Sequence, residues 1–327
     1  MNAATAALKL LPAVLFGMAL SLAGAAANAQ EVTLRAISAF PEGQYYTKRF
    51  LEWIEKLNAD GKGVARIQFI GGPRAIPSFE QGNALKTGVV DIALIPGPYY
   101  TNLMPEADIL KLSQFTIAEM RKRGAIDYIN KIWTSKANLY YLASMVDFTP
   151  FHLYLNKKLD KPDLSGLKIR STPIYRDFFT ALGATVITTP PGEVYTALER
   201  GVVDGYGWPI HQIFDFGWEK LTKYRYDPGF YTADLSVLVN WDRWQKFTPQ
   251  QRELLTRHGQ AMEADAVNWK EYNANDIRRQ REAGIEVITF TGENAKKYLD
   301  TAYEVGWAEA LKRSPEHAAA LRKLISR

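Results

Sequence analysis

The stretch of this sequence with the most chemistry is Leu164-Ser165-Gly166-Leu167-Lys168-Ile169-Arg170-Ser171-Thr172-Pro173. Its alternation sets Leu167 and Ile169 on one face of a short strand, and Lys168 and Arg170 on the other. Thr172 and Pro173 suit an N-cap and a first helical turn, so a helix is expected to run from Pro173 through Phe178, Phe179 and Leu182 to Gly183. Arg170 then stands at the carboxyl end of a strand, just before a helix N-terminus. Open α/β sheets bind ligands there, and free N–H groups there favour an anion. A guanidinium grips a carboxylate through two parallel hydrogen bonds, which an ammonium cannot match. An arginine paired to a structural acid, or lying on the surface, fits the same residues.

Trp208 obeys the same strand-end logic. Val202 to Gly207 reads as a strand interrupted by glycines, which permit close approach of a ligand or another backbone. Trp208 emerges at its carboxyl end with His211 just beyond, although a core tryptophan is the ordinary alternative. Phe40 and Tyr45 follow the first expected strand, and Tyr99 lies in the loop after Val89 to Ile95. If these loops share a cleft, they supply aromatic walls around Arg170.

Other chemistries find no support. The chain has no Cys, which excludes disulfides, thiolate metal sites and a Cys nucleophile. No phosphate-binding loop, G-x-G-x-x-G, G-x-S-x-G, H-E-x-x-H or EF-hand loop occurs. The four His (His152, His211, His258 and His317) are not spaced as a helical metal pair, and no cofactor is expected. Lys+Arg 40 against Asp+Glu 35 gives a mild +5, and the basic residues are scattered, so no nucleic-acid partner is expected.

The elements that must position these residues alternate between strand and helix. Val32 to Ser38 reads as a strand, Phe50, Trp53, Ile54 and Leu57 as one face of a helix, and Arg66 to Ile70 as a strand. Pro77 to Lys86 follows as a helix and Val89 to Ile95 as a buried strand, so mostly parallel pairing in an α/β sheet is expected. Ala84-Leu85-Lys86-Thr87-Gly88-Val89-Val90-Asp91 recurs as Ala197-Leu198-Glu199-Arg200-Gly201-Val202-Val203-Asp204. Each copy encodes a helix, a Gly stop and a strand entering a Pro-containing loop. The period is too long for a solenoid, so two similar lobes are expected, each on its own small sheet. Thr248-Pro249-Gln250-Gln251 opens a helix with a capping box, and an approximate apolar stripe continues to Gly284. Unbroken, that helix would extend about 50 Å and lie across both lobes, with Gly259 as a possible kink.

With 327 residues, 47% hydrophobic and 12% aromatic, the chain can fill the cores of about two domains and does not fit a disordered or low-complexity class. Lys9, an uncharged run from Leu10 to Ala27 and Ala27-Asn28-Ala29 have the pattern of a secretory signal peptide cleaved after Ala29. The run is near the lower limit of about 17–25 residues for a membrane span. The product expected is an exported, periplasmic protein.

From Leu164 to Pro209 the chain resembles the extracytoplasmic solute-binding proteins of tripartite ATP-independent periplasmic (TRAP) transporters, the DctP-like family. The matching elements are Leu164-Ser165-Gly166-Leu167-Lys168-Ile169-Arg170, Glu193-Val194-Tyr195-Thr196-Ala197-Leu198 and Gly201-Val202-Val203-Asp204-Gly205, in that order and spacing. The leader, the repeat and the late helix extend the likeness over essentially the whole chain. The resemblance implies a two-lobe periplasmic-binding-protein-like α/β fold, each lobe a mixed sheet flanked by helices, with crossing strands and a long helix spanning both. Lobe I is expected to comprise residues 30–149 plus 238–284, and lobe II residues 150–237 plus 285–327.

The resemblance also implies that Arg170 binds a substrate carboxylate and that Trp208 is a ligand contact. Trp208 stands where many members have Asn, which points away from sugar acids and C4-dicarboxylates. Some members carry a second Arg about twenty residues before Arg170, where this chain reads Thr149-Pro150-Phe151-His152-Leu153-Tyr154. The expected ligand is therefore one small organic monocarboxylate (2-oxo, 2-hydroxy, aromatic or branched). Arg170 would hold it, with His152 as a polar flank and Phe40, Tyr99, Trp208, Tyr45 and His211 around it. The expected partners are that acid and the TRAP membrane permease, and no catalysis is expected. An exported hydrolase or lyase using His152 or His211, or a binding protein for another transporter class or a sensor, stays open on sequence alone.

Overall fold

The computed structural model describes residues 31–327. The expected leader and its cleavage site lie outside the described residues. Among the described residues, eleven strands form two sheets. They are β1 (Val32–Ser38), β2 (Ala65–Gly71), β3 (Ile92–Ile95), β4 (Leu139–Ser144), β5 (Pro150–Leu155), β6 (Lys168–Ser171), β7 (Thr185–Thr188), β8 (Gly205–Pro209), β9 (Tyr224–Thr232), β10 (Ser236–Asn240) and β11 (Glu286–Thr289). The first sheet runs β2-β1-β3-β10-β4 and the second β11-β9-β5-β8-β6-β7.

The two sheets share one plan. In the first, β1 pairs in parallel with β2 and β3, and β10 joins antiparallel between β3 and β4. In the second, β6 pairs in parallel with β7 and β8, and β5 joins antiparallel between β8 and β9. Each antiparallel joiner follows a strand of the other sheet in the chain, β5 after β4 and β10 after β9. The chain therefore crosses between sheets before β5 and again before β10. The crossings lie side by side, with the Met145 N–H donating to the Leu235 carbonyl and the Ala233 N–H to the Thr149 carbonyl, both at 2.8 Å.

The repeat explains why both lobes close in the same way. After Gly88 (φ +76°) and Gly201 (φ +66°), the first valine of each copy is exposed and the second buried. The aspartate that follows clamps the neighbouring strand. Asp91 accepts the Arg35 N–H and Asp204 the Lys168 N–H, each at 2.8 Å, and each aspartate N–H returns a bond to that residue's carbonyl. The strands consequently start at Ile92 and Gly205, later than Val89 and Val202 suggested.

Two other expectations are corrected. The expected long helix is two helices, Pro249–Asp265 and Trp269–Glu282, joined by a 3₁₀ turn at Ala266–Asn268. Its capping box at Thr248 and Gln251 is present. Gly259 does not kink it. A Cβ there would stand 3.2 Å from the Ala143 Cβ, so this glycine allows the helix to lie close on β4. The second correction concerns Thr172. It precedes the helix Pro173–Ala181, but its side chain makes no capping bond.

Candidate functional site

The carboxyl ends of β1, β3, β6 and β8 bring aromatic side chains of both lobes together. Phe40, Tyr46, Pro98 and Tyr99 from the first lobe face Phe151, Thr172, Tyr175 and Trp208 from the second, with Asp234 from the second crossing. The Phe40 ring packs 6.1 Å from Tyr99 and 6.5 Å, edge-on, from Trp208. The space they enclose is about 40 Å³. At roughly 10–15 Å³ for each water, that holds only a few small molecules, so a larger ligand must part the aromatic walls.

Arg170 lies behind Trp208 and Tyr99. Its guanidinium carbon is 5.6 Å from the Trp208 ring centroid, and the Tyr99 hydroxyl lies alongside it. β6 and β8 are in register at Arg170 and Tyr206, which places the arginine on the same sheet face as Trp208. The side chain is fully buried. Nε and one terminal nitrogen donate to the Thr189 carbonyl at 3.1 and 2.7 Å, whereas Nη1 has no partner. Among the described residues no carboxylate pairs with it, and burial pulls its pKa below the usual arginine value. The Trp208 Nε1–H is also buried without an acceptor. Two adjacent donors are thus left without acceptors where an unmade bond is costly. An anion placed beside both would satisfy them.

Phe40, Tyr99, Trp208 and Arg170 are therefore gathered at one place. His152, His211 and Tyr45 stand elsewhere. His152 shares the Trp208 face of the sheet, but its Nδ1 is held by the Tyr226 carbonyl at 3.1 Å and an Asp227 carboxylate oxygen at 2.9 Å. His211 bridges the lobes. Its Nε2 accepts from the Tyr46 hydroxyl at 2.7 Å and its Nδ1 bonds the Asn273 side-chain oxygen, so neither nitrogen is free for a ligand. Desolvation pushes its pKa down to about 3 against a smaller opposing effect of the Asn273 bond, and the ring is neutral. Tyr45 stacks on Tyr272 with centroids 4.2 Å apart, and its N–H donates to Asp215 of the other lobe at 3.0 Å.

Residue-type reasoning missed Thr189, which acts through a backbone carbonyl, and Asp234. The Asp234 carboxylate accepts from the Tyr141 hydroxyl at 2.8 Å and the Ser236 hydroxyl at 2.6 Å. Desolvation raises its pKa to about 6, against those bonds and the Gly97 N–H. Its one sequence signal is an acid set between Ala233 and Leu235. A larger cavity of about 480 Å³ lies between the helices Tyr45–Asp60 and Pro249–Asp265. There Arg49 is already paired with Glu52 and Asp265, so it lacks the free donors found at Arg170.

Residues 37–313 match DctP, the bacterial extracellular solute-binding protein family 7. The chain belongs to this family. A monocarboxylate 2-oxoacid-binding periplasmic protein of Nostoc sp. is 23% identical over 243 residues, covering 71% of this chain and 66% of that relative, just under two thirds of its length. Two solved structures share the fold. A marine metagenome TRAP solute binding protein specific for pyroglutamate superposes with a TM-score of 0.79 at 18% identity, covering 90% of this chain and 99% of the other. A TRAP transporter solute binding protein from Bordetella bronchiseptica, whose active site holds copurified calcium and picolinate, gives 0.78 at 19% identity, covering 90% and 92%. In this DctP-family chain, among the described residues, no three His, Asp or Glu side chains are grouped to hold a metal, and no helix is long and apolar enough to cross a membrane.

Proposed function

We propose that this chain is the periplasmic receptor of a TRAP transporter, exported with cleavage after Ala29. It binds a small organic monocarboxylate (2-oxo, 2-hydroxy, aromatic or branched) and delivers it to the membrane permease. The observation that carries the reading is a fully buried Arg170 with no acidic partner, beside a Trp208 N–H that is equally unpaired. The carboxylate takes those donors, and Phe40, Tyr99 and Trp208 cover its apolar part. Water is excluded from the site, which strengthens the charged contact. Closure about the paired crossings at Met145–Thr149 and Ala233–Leu235 traps the ligand, because the walls come from both lobes. The family and the names of the relatives agree with a receptor for a small acid.

A thermal-shift screen of organic acids followed by calorimetry tests this. One or more monocarboxylates should raise the melting temperature. Arg170→Ala should weaken binding at least about tenfold, since a charged hydrogen bond contributes roughly 1.5–3 kcal/mol. Arg170→Lys should recover little, because an ammonium cannot reproduce the fork. Unchanged affinity in both variants would remove Arg170 from the site.

A further inference from the structure

Two unpaired charges of opposite sign meet this cavity. Arg170, behind Trp208 and Tyr99, has no acid, and Asp234, which lines the cavity directly, has no base. The acid Asp147 lines a second small space with Asp234, and the groups that bond or face Asp234 are neutral. They are Tyr141 from β4, Tyr100 and the Gly97 N–H from the loop after β3, and Ser236 from β10. From the second lobe, Tyr175 and Trp208 line the same cavity, and Arg170 lies behind Trp208.

Tyr141, Ser236 and the Gly97 N–H each donate to the carboxylate, which has about four acceptor sites, so about one is left. Acceptor capacity therefore remains toward the cavity. A ligand that places only a methyl group there strips water from the carboxylate without replacing its bonds. A ligand that places a second carboxylate there meets like charge in a desolvated space. Both are costly. An ammonium or hydroxyl donor instead completes the carboxylate's hydrogen bonds.

Resting on the receptor reading above, we infer that Asp234 is a specificity-determining residue that selects an acid carrying a hydrogen-bond donor, above all a cationic one, at the end away from its carboxylate, and that rejects dicarboxylates. Arg170 and Asp234 then read the two ends of one dipolar molecule, and the aromatic walls cover what lies between.

Four acids with the same two-methylene spacer isolate this end group: β-alanine (ammonium), 3-hydroxypropionate (hydroxyl), butyrate (methyl) and succinate (carboxylate). Calorimetry on the full-length mature protein, with EDTA present, should show β-alanine and 3-hydroxypropionate binding at least about tenfold more tightly than butyrate or succinate. Asp234→Asn should lower the β-alanine preference by about tenfold and improve succinate relative to β-alanine. Because that variant disturbs the crossing, the wild type supplies an independent measurement. Between about pH 7.5 and pH 6 the preference for β-alanine over butyrate should fall as Asp234 begins to gain its proton, since both ligands keep their charge in that range.

If all four bind with equal affinity, or if selectivity is the same in Asp234→Asn and at both pH values, the Asp234 assignment falls while the Arg170 receptor stands. Binding that appears only when calcium replaces EDTA also overturns it, because Asp234 would then serve a cation. Failure of the wild type to bind any of the four overturns it as well. The receptor reading itself fails only if the wider acid screen finds nothing, or if Arg170 proves dispensable.

Discussion

At the scale of single residues, the site is an argument about unmade bonds. Arg170 Nη1 and Trp208 Nε1 are buried donors with no acceptor in bonding geometry, and only the neutral Tyr99 hydroxyl lies alongside the guanidinium. Native interiors rarely leave such groups unpaired without a use. Trp208→Phe keeps an aromatic ring near the guanidinium and removes the donor, together with part of the packing against Phe216 and Trp218. A neutral hydrogen bond contributes about 0.5–1.5 kcal/mol, so calorimetry should show a loss of roughly three- to tenfold in affinity for any bound acid. Affinity equal to wild type would mean that the indole N–H faces no ligand atom. Arg170 was legible in the sequence because one residue type at a strand end next to a helix start carries a physical meaning by itself. His152 and His211 show the limit of that reasoning. Their chemistry is spent on Tyr226, Asp227, Tyr46 and Asn273, partners that only folding brings into reach. Asp234 was hidden because it lies in a crossing, where no periodicity marks which way a side chain faces.

At the scale of elements, the repeat that announced two lobes turns out to be a strand clamp. Asp91 and Asp204 do the same work at the same place in each sheet. Asp204 also pairs with Lys157 at 2.7 Å. Desolvation opposes its ionisation, but Lys157 and the Lys168 N–H together outweigh it and hold the carboxyl below its usual 3.8. A depressed carboxyl contributes stability that is present above 3.8 and is lost as pH falls through the lower folded value. Asp204→Ala should cost about 1–3 kcal/mol in urea unfolding near neutral pH. Asp204→Asn should recover part of it, because the amide oxygen still accepts the Lys168 N–H. A variant indistinguishable from wild type would show that the clamp is redundant with the strand pairing. Helix and strand identities could be read from apolar spacing and Gly punctuation. Their ends could not, because Gly88 and Gly201 turn the chain and the aspartates delay each strand to Ile92 and Gly205. The 3₁₀ break at Ala266–Asn268 lacks Gly or Pro and so leaves no mark in the sequence.

At the scale of the whole molecule, the two halves are joined by a chain of hydrogen bonds running along one side of the cleft. The Tyr46 hydroxyl, on the first lobe, meets His211 Nε2 on the second. His211 Nδ1 bonds the Asn273 oxygen, and the Asn273 amide nitrogen donates to the Phe148 carbonyl in the first crossing at 2.9 Å. That last bond fixes the amide orientation, so Nδ1 carries the ring proton and Nε2 accepts. Protonating Nε2 would reverse the bond to Tyr46 and place a charge among Tyr46, Trp269 and Tyr272 with no anion paired to it. The folded ring titrates near 3 against 6.5 when free, so between those values the unfolded chain holds more protons. Stability from the neutral ring is therefore complete above about 6.5 and is lost as pH falls toward 3. Asp234 works in the opposite sense from about 6 downward, because its raised pKa lets the folded chain take up a proton first. Wild-type stability against pH mixes the two, and a difference separates them. His211→Gln keeps a polar side chain at the bridge and removes the titration. Its unfolding free energy should lie below that of wild type near pH 7, and the gap should shrink or invert by about pH 4, a change on the order of a few kcal/mol. A gap that stays constant from pH 7 to pH 4 would mean that His211 takes up its proton without strain. The bond chain across the cleft would then contribute no acid-sensitive share of the stability.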